Sequence, residues 1–256
     1  MALCSLENKV ALIAGASRGI GAEIARVLSL SGAKVALIGR DEGKLATVAG
    51  ETNGIAVVCD VTDRDALHRV VLGVEQTLGP IAISVYNAGI APSATLAETD
   101  DAMWSQAFAV NVTPAFWLAR QLVPSMIGSG FGRIIHVASN AGLTGYAYTS
   151  AYCASKHALV GLTRALAVEL ARTAVTANCV CPGFVETDMC RVAIENISKK
   201  TGRSPSDAKR ALEAMNPQKR LIEPREVAHV VLALCSEKAR GLNGTSIPID
   251  GGQVMT

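Results

Sequence analysis

The sequence predicts one α/β domain built on a doubly wound, seven-stranded parallel sheet. Short apolar runs rich in valine and isoleucine alternate with longer segments of helical period, which is the pattern of buried parallel strands covered by helices on both faces. The chain of 256 residues has a length that one such domain commonly occupies. No repeat, linker or low-complexity segment interrupts the alternation, so we expect no domain boundary.

Seven apolar runs are predicted as strands because branched apolar residues dominate them. They cover residues 10–14, 34–38, 55–59, 83–86, 133–138, 176–180 and 245–249. The segments between them space their apolar residues as helices do. These predicted helices cover residues 20–30, 41–49, 63–77, 100–127, 151–172, 206–215 and 224–236.

The composition excludes several classes of protein. Half of the residues are hydrophobic and 18% are charged, which indicates a compact folded chain. A net charge of +2 gives no strong basic field, so nucleic acid is not expected as a partner. No apolar run reaches the roughly 18 residues of a membrane span, and the N-terminus lacks a signal-peptide pattern, so we expect a cytoplasmic protein. The seven cysteines and four histidines show no metal-ligand spacing, so no metal site is expected.

A glycine-rich loop, AGASRGIG, follows the first predicted strand and opens the first helix. Glycines permit a tight turn and a close backbone approach, and the N–H groups at a helix N-terminus attract a pyrophosphate. Such a motif can also be a simple turn, but its position after a buried strand favours dinucleotide binding. The expected cofactor contacts here are Gly15, Ser17, Arg18, Gly19, Ile20 and Gly21.

The end of the second strand bears on the choice of cofactor. An NAD site usually places an acid at this strand tip for the ribose 2′-hydroxyl, whereas this chain has Gly39, Arg40 and Asp41. Arg40 and Arg18 together suit a 2′-phosphate, because guanidinium groups match phosphate oxygens and stay charged. NADP is therefore favoured over NAD. The alternative is that Arg40 is a solvated residue at a helix start and that Asp41 holds the ribose.

Two further strand ends carry candidate cofactor contacts. Asp60 and Val61 follow the third strand, where the Asp60 carboxylate suits the adenine amino group or caps the next helix. The YNAGI segment ends the fourth strand with Asn87, Ala88 and Gly89. Strand ends of an open α/β sheet face the ligand crevice, although an Asn-Gly turn is the simpler explanation of this segment.

The segment SAYCASK carries a tyrosine and a lysine four residues apart. Residues i and i+4 share one helix face, so Tyr152 and Lys156 are expected to face the same cavity. A phenol has a pKa of about 10, and a nearby cation lowers it by favouring the phenolate. We therefore expect Lys156 to tune the hydroxyl of Tyr152, which then gives a proton to a ketone oxygen or removes one from an alcohol.

Ser139 ends the fifth strand in IIHVAS, so its hydroxyl is expected at the carboxyl edge of the sheet near that phenol. There it can hold a carbonyl oxygen. Taken singly, each of the three residues has an ordinary explanation: the tyrosine packs, the lysine is solvated and the serine forms a turn. Their combination with the glycine loop favours a catalytic set.

These motifs resemble those of the short-chain dehydrogenase/reductases, in their single-domain branch. The resemblance covers essentially the whole chain and implies a Rossmann-like fold. AGASRGIG resembles the family's cofactor loop, YNAGI its N-N-A-G segment, and NVT, which contains Asn111, its helix asparagine. One departure is Tyr86, where the family often has a first asparagine, while Asn87 keeps the second.

The resemblance also implies roles for single residues. It implies a catalytic set of Asn111, Ser139, Tyr152 and Lys156, in which Lys156 also bonds the nicotinamide ribose and Asn111 holds a water that passes protons toward Lys156. From the residues alone, Asn111 has a simpler explanation as a buried helix amide.

The segment PGFVETDM resembles the part of the family that closes over the nicotinamide. The resemblance implies cofactor contacts from Pro182, Gly183, Val185 and Thr187, with Thr187 anchoring the carboxamide. From the residues alone, Thr187 is explained as the N-cap of the following helix.

A long segment, residues 186–223, precedes the last predicted helix and is a candidate lid. Ser204-Pro205-Ser206 reads as a helix start. Residues 186–220 carry eight basic and five acidic side chains, so this short piece is more positive than the whole chain. A basic lid suits an acyl-CoA phosphate or an acidic acyl-carrier partner, and a helix face solvated by its charges is the equal alternative.

The resemblance is nearest to members that reduce 3-oxoacyl thioesters or related β-keto compounds. It implies an NADP-dependent ketoreductase acting on a small ketone or secondary alcohol. The alternatives are an NAD-dependent dehydrogenase of a small or cyclic alcohol and, from another class, a nucleotide-sensing protein without turnover. The predicted helix at 151–172 is apolar on more than one face. With the tetramers common in the family, this predicts a homotetramer, and ordinary core packing is the alternative.

Overall fold

The computed structural model describes residues 5–255 and confirms the predicted parallel sheet. The strands are β1 (Val10–Ala14), β2 (Lys34–Gly39), β3 (Ile55–Val58), β4 (Ile81–Tyr86), β5 (Gly132–Val137), β6 (Val175–Pro182) and β7 (Ser246–Ile249). They lie in the order β3-β2-β1-β4-β5-β6-β7, and every pairing is parallel. All seven predicted strands are therefore present, with ends that differ by a few residues.

Helices cover both faces of the sheet. They are α1 (Gly19–Leu30), α2 (Glu42–Thr52), α3 (Arg64–Leu78), α4 (Asp101–Asn111), α5 (Thr113–Gly128), α6 (Ser150–Glu169), α7 (Asp188–Thr201), α8 (Pro205–Met215) and α9 (Pro224–Cys235). Within the described part of the chain, no helix has both the length and the apolar character needed to cross a bilayer.

The prediction of one long helix at residues 100–127 was wrong. The structure divides it into α4 and α5 at Val112, whose φ of −125° lies outside the helical range. Pro114 stands in the first turn of α5 and lacks the N–H that would continue the α4 hydrogen-bond ladder. Helix α7 was not among the predicted helices.

The inner strands of the sheet bury side chains on both faces, as expected for a parallel sheet between two helical layers. On β1, the fully buried Ile13 packs in the layer that contains α1 and α9, and its neighbour Leu12 packs in the opposite layer with α3, α5 and α6. The period of two along a strand thus places apolar residues in both cores.

The strand order defines where a ligand crevice lies. β1 pairs with β2 on one side and with β4 on the other, so the chain reverses its direction of winding between β1 and β4. In open α/β sheets the crevice opens at the carboxyl ends of the strands at such a switch point. The glycine loop follows β1 and the YNAGI segment follows β4, so both lie at this crevice.

Candidate active site

The glycine loop is packed so closely that its glycines have no room for side chains. Gly15 has φ +78°, and a Cβ there would lie 2.7 Å from the backbone nitrogen of Ala88. A Cβ on Gly21 would lie 2.1 Å from the carbonyl oxygen of Gly15. Asn87 donates from Nδ2 to this same oxygen at 2.8 Å. The loop after β1 therefore packs directly on the segment after β4. This agrees with the prediction that both contact one cofactor.

The first turn of α1 is suited to an anion. Its N-cap residue, Arg18, makes no side-chain cap hydrogen bond, so the N–H groups at this helix start have no side-chain acceptor there. The glycine at position 19 has φ +58°, and a Cβ on it would lie 3.1 Å from Cγ2 of Thr187. A compact cradle of backbone N–H groups with a positive helix dipole fits the pyrophosphate of a dinucleotide.

Two arginines, Arg18 and Arg40, stand at the mouth of this crevice with side chains 60% and 76% exposed. Arg18 lies 3.3 Å from a carboxylate oxygen of Asp188 at the start of α7, and Arg40 lies 3.9 Å from Asp60. Asp41 accepts a hydrogen bond from the backbone nitrogen of Lys44 at 3.1 Å and caps α2. This cap, the largest influence, lowers the pKa of Asp41. The carboxylate that could hold a ribose is thus engaged in capping.

Asp60 does not cap the following helix, so that alternative was wrong. Its Oδ1 accepts hydrogen bonds from the backbone nitrogen and the hydroxyl of Thr62, at 2.9 and 2.8 Å. Asp63 caps α3 instead, through the backbone nitrogen of Ala66 at 2.9 Å. Val61 is buried beside Asp60 in the core. The half-exposed carboxylate of Asp60 stays near Arg40 at the crevice.

Lys156 is buried at the centre of the site. Its side chain is held by a hydrogen bond of 3.0 Å from Nζ to the carbonyl oxygen of Val137, the last residue of β5. A Cβ on Gly89 would lie 3.5 Å from this Nζ, so the YNAGI segment also reaches the lysine. Burial lowers the pKa of Lys156 to about 8. The ammonium is therefore easier to deprotonate than an exposed one.

Tyr152 and Lys156 lie on the same side of α6, as their spacing predicted. The Lys156 ammonium is 5.9 Å from the centre of the Tyr152 ring. Burial, the largest influence, raises the pKa of Tyr152, and the Ser139 hydroxyl acts in the opposite direction. The expectation that Lys156 acidifies the phenol was therefore wrong for this arrangement. A buried phenol with a raised pKa stays protonated near neutrality and suits a proton donor.

Ser139 follows β5 and is almost fully buried, with 8% of its surface exposed. Its hydroxyl oxygen accepts a hydrogen bond of 3.1 Å from the backbone nitrogen of Ala141, which begins a short 3₁₀ turn. Burial, the largest influence, raises the pKa of the Tyr152 phenol and a side-chain hydrogen bond with Ser139 opposes this rise, so the two hydroxyl groups are neighbours. The structure thus brings the predicted serine, tyrosine and lysine together.

Asn111 ends α4 and is fully buried. Its Oδ1 accepts from the backbone nitrogen of Ile90 at 2.9 Å, and its Nδ2 donates to the carbonyl oxygen of Ile90 at 3.0 Å. The same Nδ2 donates to the hydroxyl of Ser155 at 2.9 Å, and that hydroxyl donates to the carbonyl of Tyr152 at 2.7 Å. The amide therefore joins the end of β4 to the first turn of α6, and Ser155 is a site residue that spacing did not reveal.

The segment after β6 closes the crevice from the other side. A Cβ on Gly183 would lie 2.8 Å from the Cβ of Asp250, so this glycine is needed for close packing. Val185 pairs with Ile222 across the base of residues 186–223. The Thr187 oxygen accepts from the backbone nitrogen of Cys190 at 3.5 Å, which makes Thr187 the N-cap of α7. Pro182, the last residue of β6, precedes this segment.

A buried histidine, His136, lies under the site, and nothing in the sequence indicated a role for it. His136 on β5 contacts the hydroxyl of Thr163 at 2.7 Å, and that hydroxyl also contacts Sγ of Cys179 at 2.9 Å. Burial first, and then the charge of Lys156, lower the pKa of His136 to about 3. The imidazole is therefore neutral. Among residues 5–255, no three His, Cys, Asp or Glu side chains form a group able to hold a metal ion.

The fold, the anion cradle and the neighbouring serine, tyrosine and lysine define a dinucleotide-binding protein of the α/β class. The model of the family described as short chain dehydrogenase matches residues 9–197, and the chain belongs to this family. The family predicted from the motifs is thus confirmed.

Individual relatives are similar over nearly the whole chain. The protein is 38% identical to a 3-oxoacyl-(acyl-carrier-protein) reductase MabA of Mycobacterium bovis, covering 97% of this chain and 94% of the relative. It is 35% identical to a 3-oxoacyl-(acyl-carrier-protein) reductase FabG of Vibrio harveyi, covering 98% and 99%. Among solved structures, it is similar to a variant of actinorhodin polyketide ketoreductase with NADPH. The TM-score is 0.93 at 35% identity, covering 96% and 97%.

Proposed function

We propose that the protein transfers a hydride between NADP(H) and a ketone or secondary alcohol, with a 3-oxoacyl thioester or related β-keto compound as the preferred substrate. The observation that carries this proposal is the placement of Ser139, Tyr152 and Lys156 around one buried point beside the glycine loop. The relatives support it, because two are named 3-oxoacyl reductases and one is a ketoreductase with NADPH.

The cofactor supplies a hydride to the carbonyl carbon, and the protein supplies the proton and the orientation. Tyr152 donates its phenolic proton to the carbonyl oxygen as negative charge develops there. The Ser139 hydroxyl donates a hydrogen bond to the same oxygen. Lys156 holds a positive charge next to the phenolate that forms and offers a donor to a ribose hydroxyl. One hydride on carbon and one proton on oxygen complete the reduction of the ketone to an alcohol.

The residues present fit a dinucleotide carrying a 2′-phosphate. Gly15, Gly19 and Gly21 leave the backbone open for the pyrophosphate, and Asn87 fixes the loop. Arg18 and Arg40 stand exposed at the crevice mouth, where guanidinium groups can exchange their carboxylate partners for a phosphate. The capping role of Asp41 leaves no free acid at the strand tip for a ribose 2′-hydroxyl. This supports NADP over NAD.

The remaining predicted cofactor contacts are assigned to the two ends of the dinucleotide. Asp60 turns its half-exposed carboxylate toward Arg40, with Oδ2 3.9 Å from the guanidinium, and this carboxylate suits the adenine end of the cofactor. Gly183, Val185 and Thr187 form the wall opposite the glycine loop, and the methyl of Thr187 faces Gly19. We assign this wall to the nicotinamide end.

Residues 186–223 form the proposed lid over the substrate. Helices α7 and α8 pack on each other through Ile194, Ile197 and Leu212 and on Phe184. Met189 and Val192 on α7 remain about half exposed, which gives an apolar surface for an acyl chain. Lys209 and Arg210 are paired within this segment, while Lys199 and Lys200 end α7. The positive charge of Lys199 and Lys200 at the end of α7 suits an anionic thioester carrier.

We further propose a cytoplasmic homotetramer. Several apolar residues of α6 are only partly buried, and Val168 is 80% exposed. Trp104 of α4 and Phe116 of α5 are also exposed. Covering these apolar surfaces by further copies removes them from water. Size-exclusion chromatography with light scattering measures the state, and a monomer at micromolar concentration would contradict it.

A substrate panel tests the proposed function. Purified protein is mixed with NADPH or NADH and with an acetoacetyl thioester, a simple β-keto ester, an unactivated ketone or a cyclic diketone, and absorbance of the reduced cofactor is followed. The highest kcat/KM is expected for the thioester with NADPH. Preference for NADH and a small cyclic alcohol would favour the alternative dehydrogenase, and cofactor binding without turnover on any substrate would favour a nucleotide-sensing protein.

A further inference from the structure

Tyr86 occupies the last position of β4 and makes a hydrogen bond that the family motif does not explain. Its hydroxyl donates to the carbonyl oxygen of Val110, which lies one residue before Asn111 in α4. The ring is buried in the core layer that contains α5 and α6. Burial, the largest influence, raises the pKa of Tyr86, so its hydroxyl remains a donor at physiological pH.

The Val110 carbonyl needs this donor because of Pro114. In a continuous α-helix the carbonyl of residue 110 accepts the N–H of residue 114. Position 114 is a proline within the first turn of α5, and proline has no N–H. The chain also leaves the helical conformation at Val112. A buried carbonyl without a donor is unfavourable, and the phenol of Tyr86 fills the place of the missing amide.

The carbonyl that Tyr86 holds is directly connected to the proposed catalytic set. Asn111 follows Val110, bonds both backbone groups of Ile90 and donates to Ser155. Ser155 in turn donates to the backbone carbonyl of Tyr152. A shift of the α4 end therefore moves the amide that joins the end of β4 to the turn of α6 that carries the proton donor.

We propose that Tyr86 is a positioning residue for the reaction: its phenol replaces the hydrogen bond that Pro114 cannot supply and so fixes Asn111 and the first turn of α6. The proposal rests on the proposed catalytic role of Tyr152. In this role Tyr86 acts through Asn111 rather than on the substrate or the cofactor. A displacement of about 1 Å at such a site is enough to slow a reaction by about a hundredfold, so the effect is expected in kcat rather than in cofactor binding.

A double-mutant cycle tests the pairing of Tyr86 with Pro114. Tyr86→Phe removes the donor, Pro114→Ala restores an N–H, and the double variant combines them. We expect Tyr86→Phe to lower kcat about tenfold, with the KM for NADPH changed less than about twofold. Pro114→Ala should stay within about threefold of wild type, and the double variant should recover to within about threefold of Pro114→Ala. Tyr148→Phe, which alters an exposed hydroxyl, is the matched control.

Two results would overturn the proposal. The first is a Tyr86→Phe protein whose melting temperature falls while kcat is unchanged, since that is a purely structural role. The second is a double variant no faster than Tyr86→Phe. Should Tyr86→Phe fail to fold, the comparison is made between Pro114→Ala and the double variant, whose kcat values should agree within about threefold.

Hydrogen–deuterium exchange separates this proposal from the proposed function. Amides at residues 87–91, 110–113, 115 and 116 should exchange faster in Tyr86→Phe and return to the rate of Pro114→Ala in the double variant. This readout needs no turnover. If Tyr152→Phe kept its activity, the proton role would fail while the exchange result still decided the role of Tyr86. Unchanged exchange in Tyr86→Phe would contradict the proposal whatever the activity of Tyr152→Phe.

Discussion

The corner formed by Asn111, Ser139, Tyr152 and Lys156, which we propose as catalytic, differs from the exposed rim formed by Arg18, Arg40, Asp60 and Asp188. In the corner, Asn111, Ser139 and Lys156 are at most 8% exposed, and uncharged backbone groups hold them. At the rim, opposite charges pair across 3.3 and 3.9 Å with much of each side chain in water.

The difference teaches where each kind of interaction is useful. Exposed ion pairs contribute little to stability, so a ligand phosphate can replace them readily. Buried donors and acceptors are expensive to leave unpaired, so the corner keeps one arrangement before substrate arrives. The corner is thus suited to chemistry and the rim to recognition.

Tyr152→Phe gives the largest expected effect on turnover. It removes the proposed proton donor from the corner and changes no residue of the rim. Turnover should fall by about 10²–10⁴-fold, the usual range for loss of general acid help. Affinity for NADPH should remain within about threefold, measured by fluorescence titration. Tyr148→Phe, at an exposed position, should behave as wild type.

Lys156→Met tests the corner in two ways, through turnover and through the pH dependence of stability. Turnover should fall at least about a hundredfold, because the charge beside the phenol is lost. Burial lowers the pKa of Lys156 to about 8 in the folded protein. In the unfolded chain this lysine has its ordinary, higher pKa. Between these two pKa values the unfolded chain therefore binds more protons than the folded protein. Wild-type stability should therefore rise relative to the variant as the pH rises from 7 to 9, in urea unfolding.

Lys34→Met, at the exposed start of β2, is the matched control. Its stability relative to wild type should not change over the same pH range. An equal pH response of the two variants would show that Lys156 is not desolvated in the folded protein.

Arg40→Ala tests the rim. The KM for NADPH should rise about tenfold, the value of one charge-assisted contact to a phosphate, while the KM for NADH stays within about twofold. Arg172→Ala, which removes an exposed arginine beyond the C-terminal end of α6, should change neither constant. An equal loss with both cofactors would mean that Arg40 supports the fold of the loop rather than the 2′-phosphate.

His136→Gln tests the buried histidine beneath the corner through its effect on stability. The pKa of His136 is lowered to about 3, so the unfolded chain takes up a proton near pH 6.5 while the folded protein does not. Wild-type stability should fall as the pH drops from 6.5 to 5, by about 2 kcal/mol from this group. In His136→Gln the free energy of unfolding should no longer show this part of the pH dependence. His229→Gln, at an exposed position, should keep it.

Much of the fold and the residues of the corner could be predicted from the sequence. Two signals were local and could be read from the sequence. They are the apolar runs of β1 and β5 and the four-residue spacing of Tyr152 and Lys156. The division of α4 from α5 was missed, although Pro114 is a visible signal, because a proline in a first helical turn and one inside a helix look alike in sequence.

The electrostatics of the corner could not be predicted from spacing. Proximity of Lys156 suggested an acidified phenol, yet the largest influence on the pKa of Tyr152 is burial, which raises it and depends on how completely the chain folds around the ring. Ser155 and Tyr86 were missed for a related reason. Their partners, Asn111 and Val110, lie far away in sequence, and only the tertiary fold brings them into hydrogen-bond distance.

The pH dependence of the two reaction directions tests the proton role of Tyr152 most directly. Because burial keeps the phenol protonated, kcat for ketone reduction should be constant from about pH 6 to 7.5 and fall only above about pH 8, where Lys156 and then Tyr152 lose protons. Oxidation of the product alcohol should rise with pH over the same range. A reduction rate that rises between pH 6 and 8 would contradict the account, because the group in use would then be a base.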